Sequence, residues 1–495
     1  MANYLHGAYG NVNVAGSKSA AESRSAFVYI GTAPVHLVHG GADNVNKPVV
    51  VNNIGEARAK FGYSNDFAKY TLCEAMKAHL IDNGVGPIVL INVLDPVTHV
   101  NAQKGSATLT PANGRVTIVN AETVCIDTIT VKAGGSAKEY GTDYTVSYNE
   151  NAKTMTITEA TAGALGTAAL TIEWTNVDAS KVDSTAVIGS TDGMGLNKGI
   201  YAVRSVYQAT GLVPSFMLCP GFSSIPDVHK AMVQNSHKIN AHWDAYLLCD
   251  LPLVNGSSEK LTLATAAAWK TANGYTNENE TVYFPMIKGT DGLNYHISVL
   301  AAANLQNLLV DQDGVPYRTP SNTEIAIAQG LYLGEDEEDR FYDDEIINEH
   351  LNKNGIASAC YIGGRWAIWG AHSASYSEEN GDAVNVSETA RMMLYYISND
   401  FQVRRTADVD APMTANDLKS IVSEEQERLD ALTKIGALTY AEVMLDASMM
   451  SESDIANGDY RFAFSITTTP IAKSLTAVVT WTDAGFTTYY EAMNA

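Results

Sequence analysis

One feature governs what this chain can fold into. A pattern of buried strands and helices breaks off near residue 100, yields to short alternating strands, and resumes near residue 189. The first stretch holds Ala26-Phe27-Val28-Tyr29-Ile30-Gly31-Thr32-Ala33, a compact apolar run that reads as a buried strand. Phe67 to Ile81 follows with helical spacing of Tyr70, Leu72, Ala75, Met76 and Leu80, then Pro87 to Leu94 as a second buried strand. Strand, helix and strand in that order predict a parallel α/β unit.

The interruption is rich in Thr, Val and Ala. Thr108 to Thr110, Arg115 to Val119, Tyr144 to Tyr148, Thr154 to Thr158 and Leu170 to Trp174 all alternate, the mark of a small β-sandwich or barrel. Tyr148 to Lys153 reads as a hairpin turn. After it come a short helix at Gly199 to Tyr207, a strand at Pro214 to Gly221, a helix at Asp227 to Ile239, and strands at Ala245 to Asp250 and Thr281 to Pro285. Ile297 to Asp311 is apolar enough for a buried helix. Near the end, Ser387 to Val403 and Asn416 to Ile435 read as helices, capped by Ser387 and by Thr414 or Asn416, with Gly436 closing the second. Alternating strands follow at Tyr440 to Leu445, Tyr460 to Thr467 and Ser474 to Thr482.

These shifts divide the chain into an extended arm (1–25), an α/β core built from two separated segments (26–100 and 186–370), an all-β domain inserted between them (101–185), and a C-terminal α+β assembly domain (371–495). The arm is rich in Gly, Ala, Ser and Asn, and within it Val12 and Val14 alternate with Asn11 and Asn13. It reads either as a tail or as a strand that pairs with another molecule.

The 55 acidic residues outnumber 32 basic ones, for a formal charge of −23. That argues against direct nucleic-acid binding, which rests on Lys and Arg neutralising phosphates. No run of about 18 apolar residues is present to span a bilayer. Met1 to Gly7 has neither a basic n-region nor an apolar h-region, so no signal peptide is expected. The five cysteines, Cys73, Cys125, Cys219, Cys249 and Cys360, lie far apart in apolar company and read as reduced and buried.

Catalytic patterns are weak. G-x-S-x-G, a phosphate-binding loop and H-E-x-x-H are all missing from the sequence. His36 and His39 are spaced H-x-x-H, two ligands short of a closed metal site. His229, His237 and His242 share no helical face and have no obvious carboxylate partner in the sequence. Asp311 to Gly314 resembles only the opening of a calcium loop, and Glu335 to Asp339 reads as a solvated acidic loop. No catalytic, cofactor or metal residue is assigned.

The ordered segments resemble the contractile phage tail sheath family, also found in R-type bacteriocins and related contractile injection systems. The resemblance is carried by Ala26 to Pro34, by Pro214 to Gly221 with the following helix and Ala245 to Pro252, by Gly314 to Asn322, by Leu351 to Ile356 before Gly364 to Gly370, and by Phe401 to Thr406 with the Gly436 turn. His372 departs from it, standing where an Arg is common. The resemblance implies a subtilisin-like α/β core without hydrolysis. It also implies a structural subunit that stacks as hexameric rings around an inner tube and contracts to drive the tube through an envelope. Expected partners are further copies of the chain, the inner tail tube protein, and baseplate and tail terminator proteins, with assembly in a host bacterial cytoplasm.

Within that frame, Phe462, Phe464 and Ile466 alternate with Arg461, Ala463 and Ser465 and form one face of an acceptor sheet. Strands from other subunits would add to it: Val12 and Val14 of the arm, and a C-terminal strand within Ala477 to Tyr490 that includes Val478, Val479 and Trp481. Five such backbone hydrogen bonds contribute a net ~2.5–7.5 kcal/mol. Arg391, Arg404 and Arg405 are basic in an acidic chain; they either meet an acidic tube or pair locally with Asp400, Asp408 or Asp410. The competing classes are a hydrolase on the α/β core and a surface-layer or adhesin-like protein.

Overall fold

The computed structural model describes residues 25–334, 342–378, 382, 386–446, 448 and 450–494. Val12, Val14 and the acidic run Glu335 to Asp339 lie outside them. The chain divides into two units, one ending at Pro412 and the other beginning at Met413.

The first unit opens with β1 (Ser25–Gly31), β2 (Pro48–Val51), α1 (Ile54–Phe61), α2 (Thr71–Ala75) and β3 (Ile88–Asn92). Seven strands follow: β4 (Gly105–Leu109), β5 (Arg115–Ile118), β6 (Thr130–Ala133), β7 (Ser136–Lys138), β8 (Tyr144–Asn149), β9 (Thr154–Glu159) and β10 (Leu170–Trp174). Next are α3 (Ser184–Ile188), α4 (Val206–Thr210), β11 (Val213–Leu218), α5 (Pro226–Ser236), β12 (Tyr246–Asp250), α6 (Leu263–Ala272) and β13 (Glu280–Tyr283). Then come β14 (Met286–Gly289), β15 (Asn294–His296), α7 (Ile297–Asp311), β16 (Ala328–Tyr332), α8 (Asp344–His350), β17 (Ile356–Ile362), β18 (Arg365–Trp369) and α9 (Glu388–Arg405).

The main sheet has the order β18-β17-β13-β12-β11-β1-β3-β2. Its six inner strands are parallel, and β2 and β18 join antiparallel at the edges. Parallel strands covered on both faces need unbroken apolar runs. β1, β3 and β12 supply them, with β3 and β12 buried along their whole length. The mixed α/β class expected from the sequence is the class observed.

The seven strands between β3 and β11 form two antiparallel sheets, β4-β10-β6-β7 and β5-β9-β8. Inward residues of both sheets, including Val116, Ile118, Val131, Val146, Ile157 and Ile172, share one core separate from that of the main sheet. This is a β-sandwich, with its hairpin turn between β8 and β9.

Two segment readings change. The helix expected over Phe67 to Ile81 is regular only from Thr71, and continues as a π-helix over Met76–Asp82. Thr71 N donates to Thr32 Oγ1 and Thr32 N to Thr71 Oγ1, which fixes the helix start there. The strand expected at Ser474 to Thr482 is absent: that stretch belongs to no strand or helix. A strand needs a partner for its backbone groups, and among the described residues none pairs with it.

The second unit holds α10 (Ala415–Lys434), β19 (Leu438–Leu445), α11 (Glu452–Asn457), β20 (Phe462–Thr468) and α12 (Gly485–Met493). Thr414 caps α10 in a reciprocal box with Asp417, and Gly436 follows in the left-handed conformation. Leu418, Ile421, Leu429 and Leu432 form the buried stripe of α10, whose nearest strand is β19.

Candidate assembly interface

In the second unit β19 and β20 make a two-stranded antiparallel sheet. Phe464 stands opposite Val443, Phe462 opposite Leu445 and Ile466 opposite Ala441. All three acceptor residues are thus on β20, half-buried and on one face, while Ser465 and Thr467 of the alternate face are exposed. Two strands alone are marginally stable, so the hairpin depends on what covers it.

Gln426 of α10 reaches one edge. Its Nε2 donates to Ala441 O at 3.1 Å, and Val443 N donates to its Oε1 at 3.0 Å. A side-chain amide here takes the place of a neighbouring strand along β19. Sequence reading missed this residue, because a Gln inside an amphipathic helix carries no distinguishing signal.

Beyond β20 the chain runs from residue 469 to 482 without regular structure. Val478 is 86 % exposed, Val479 92 % and Trp481 77 %. The proposed C-terminal donor segment does not remain extended to Tyr490, since α12 begins at Gly485 and holds Tyr489 and Tyr490. Contiguous exposed apolar side chains of this size mark an interaction segment.

The three arginines all have partners. Arg391 Nη2 lies 2.8 Å from Glu278 Oε1, Arg404 Nε 2.7 Å from Asp400 Oδ2, and Arg405 Nη1 3.3 Å from Asp408 Oδ2. The local pairing foreseen for Arg404 and Arg405 is therefore present. Their helix, α9, packs on the main sheet: Met392 joins its core, and Asn399 clamps the start of β12 by donating to Asp244 O and accepting from Asp244 N.

The crevice where an open α/β sheet usually takes a ligand is closed. Chain order reverses between β1 and β11, so a ligand would sit outside the C-terminal ends of those strands. Thr71 occupies that place, bonded to Thr32 as above. It packs so closely on Gly31 that a Cβ there would overlap its hydroxyl, and a Cβ on Gly221 would come within 2.9 Å of its Cγ2.

Nearby polar groups satisfy one another. Asp250, at the end of β12, accepts from the backbone N and hydroxyl of Ser298, and burial raises its carboxyl to about 6. His296 Nδ1 donates to Glu74 Oε2 at 2.7 Å and its backbone N to Glu74 Oε1 at 2.5 Å. Burial opposes the charge on His296, but Glu74 prevails and lifts it to about 9. Tyr29 donates to His79 Nε2 at 2.5 Å, and His79 Nδ1 to Gln306 Oε1 at 2.6 Å; burial holds this imidazole neutral, at about 4. Glu388, the first residue of α9, accepts from Thr281 and Thr319 and is raised by burial to about 7.

Of the histidines singled out in the sequence, His237 meets a carboxylate, its Nδ1 3.3 Å from Asp244 Oδ1, and His242 Nδ1 stands 3.3 Å from Gln402 Oε1. Buried His36 donates from Nε2 to Glu122 O, and His39 pairs with Asp127 at 2.8 Å, so H-x-x-H ties the loop after β1 to the sandwich. His229 does have a carboxylate partner: its Nε2 stands 2.5 Å from Glu280 Oε2, with Cys249 close by, all three buried. Pairing across 51 residues left no trace in local spacing. A tetrahedral zinc with bonds of about 2.0–2.1 Å sets neighbouring donors roughly 3.3 Å apart. The His229–Glu280 separation is instead that of a hydrogen bond, and Glu280 Oε1 is taken up by Asn277.

No family model matches the chain. The tail sheath protein of Burkholderia phage BcepMu is 26% identical over 501 residues, covering 96% of each chain. Along nearly its whole length the chain is similar to a phage tail sheath protein. The major tail sheath protein of Serratia phage KSP20 is 22% identical over 323 residues, covering 64% of this chain and 74% of its own. Among solved structures, the helical sheath of the anti-feeding prophage in its contracted state aligns with a TM-score of 0.54 at 12% identity, over 97% of this chain and 100% of that one. The sheath complex of the extracellular contractile injection system PVC, also contracted, gives 0.53 at 11%, over 98% and 99%. These two likenesses concern the fold. Both sequence relatives are phage tail sheath proteins.

Proposed function

We propose that copies of this chain stack as six-membered rings around an inner tube, joined by strands that pass between subunits, and that the stack shortens to drive the tube through a cell envelope. The observation that carries this reading is the C-terminal stretch with Val478, Val479 and Trp481 bare in the single chain. It lies in sequence directly after a sheet of only two strands. Because Gln426 takes the β19 edge, we place the added strand along β20, beside Phe462, Phe464 and Ile466. Val12 and Val14 of the N-terminal arm would supply a second strand.

The sheath names of the relatives and the contracted helical sheaths of like fold support a polymer. The finer reading follows the family resemblance: a core of subtilisin-like topology, the sandwich as the outermost layer, and baseplate and terminator proteins at the two ends. Arg391, Arg404 and Arg405 would face the tube, with assembly in the host bacterial cytoplasm. Contraction needs no cofactor, because the work comes from better subunit contacts in the shortened state.

Two deletions and one substitution set test the strand exchange. Removing residues 1–20, or 470–495, or placing Asp at Val478 and Val479, should abolish long cylinders in negative stain while leaving soluble, folded subunits. Normal cylinders from each of these variants would end the proposal.

A further inference from the structure

The sandwich carries a groove of about 430 Å³, within the range of small-ligand sites. Lys104, Lys132 and Lys138 line it together with Tyr144, Glu173 and Trp174. In a chain with 55 acidic residues, three lysines around one carboxylate are a local reversal of sign. That carboxylate is neutralised: Lys132 Nζ donates to Glu173 at 2.8 Å. The Lys132 hydrogen bond and charge, with Lys104 adding less, hold the Glu173 carboxyl below its usual range. Lys104 and Lys138 form no ion pair among the described residues. Two ammonium groups therefore remain for a ligand.

The aromatic wall is fixed in advance. Trp174 Nε1 donates to Asn176 Oδ1 at 3.0 Å, and Gly105 lies so close that a Cβ there would overlap the indole. A held aromatic surface costs little ordering on binding. It offers an apolar plane for the C–H face of a sugar ring, while the lysines match acidic substituents.

We propose that this groove binds an acidic saccharide, its carboxylate or phosphate groups on Lys104 and Lys138 and a sugar ring on Trp174. The groove is a compact recess with two uncommitted charges, not the long basic track that follows a nucleic-acid backbone. Placed on the sandwich, such a site gives the particle contact with charged glycans, separately from polymer formation.

The test is calorimetric titration of the full chain with hexagalacturonate, maltohexaose, inorganic phosphate and hexathymidylate. Hexagalacturonate alone should bind, more weakly as salt rises. Lys104→Gln with Lys138→Gln should weaken it about tenfold or more, with the urea midpoint unchanged. No heat from hexagalacturonate overturns the proposal. So does equal binding of maltohexaose, phosphate or the oligonucleotide, or an affinity unchanged in the double variant.

Discussion

Between pH 7 and pH 8 this chain should lose stability, and one buried pair should account for most of the loss. His296 gains Glu74 on folding, and its imidazole rises from 6.5 to about 9. The folded state therefore holds the proton more tightly than the unfolded state. The resulting stability is fully present below pH 6.5 and is lost as pH climbs through 9. Linkage gives a contribution of roughly 2–3 kcal/mol at pH 7, falling by about 1 kcal/mol by pH 8. Other shifted groups act elsewhere. Asp250 and Glu388, raised to about 6 and about 7, exert most of their effect below pH 7. His36 and His79, lowered by burial to about 4, act only on the acid side of 6.5. Lys270 is buried with its Nζ donating to Asn354 O and Ala374 O; burial lowers it to about 8, so it changes chiefly above that. The assay is urea unfolding followed by tryptophan fluorescence at pH 7, 7.5 and 8, below the polymerising concentration. The same series on the double variant His296→Gln with Glu74→Gln removes the pair and leaves the other groups in place. The wild type should converge on the variant by about 1 kcal/mol across this range. Parallel curves would refute the assignment of a charged His296 held by Glu74.

Three further perturbations follow from named contacts. Gln426→Ala removes two hydrogen bonds to β19, at a cost of about 1–3 kcal/mol, read as a lowered unfolding midpoint of the C-terminal unit. Gly221→Ala should cost roughly 1–3 kcal/mol, since φ is +76° and Thr71 is in the way; adding Thr71→Ser should recover the steric contribution but not the backbone one. Charge reversal at Arg404 and Arg405 breaks the pairs with Asp400 and Asp408 and should reduce co-sedimentation with tube; unchanged binding removes these residues from the tube-facing surface.

The main sheet was legible because its strands are buried on both faces and so carry unbroken apolar runs, as in Ile88–Asn92 and Tyr246–Asp250. The caps at Ser387 and Thr414 were legible because capping is local chemistry. What the sequence hid is long-range: Thr71 filling the crevice beside Gly31, His229 meeting Glu280, and Gln426 covering β19. Each depends on residues brought together by the fold rather than by spacing. The segment from Ser474 to Thr482 alternates as a strand does, yet among the described residues no strand pairs with it. Periodicity reports the face a strand would present, not whether its partner lies in the same molecule.

Cryo-electron microscopy of the assembled polymer tests the central claim most directly. Chain density should continue past residue 469 of one subunit and pair along β20 of another, with Val478 and Trp481 covered at the junction. Density that folds residues 470–494 back onto their own subunit, with no strand crossing between copies, would contradict it.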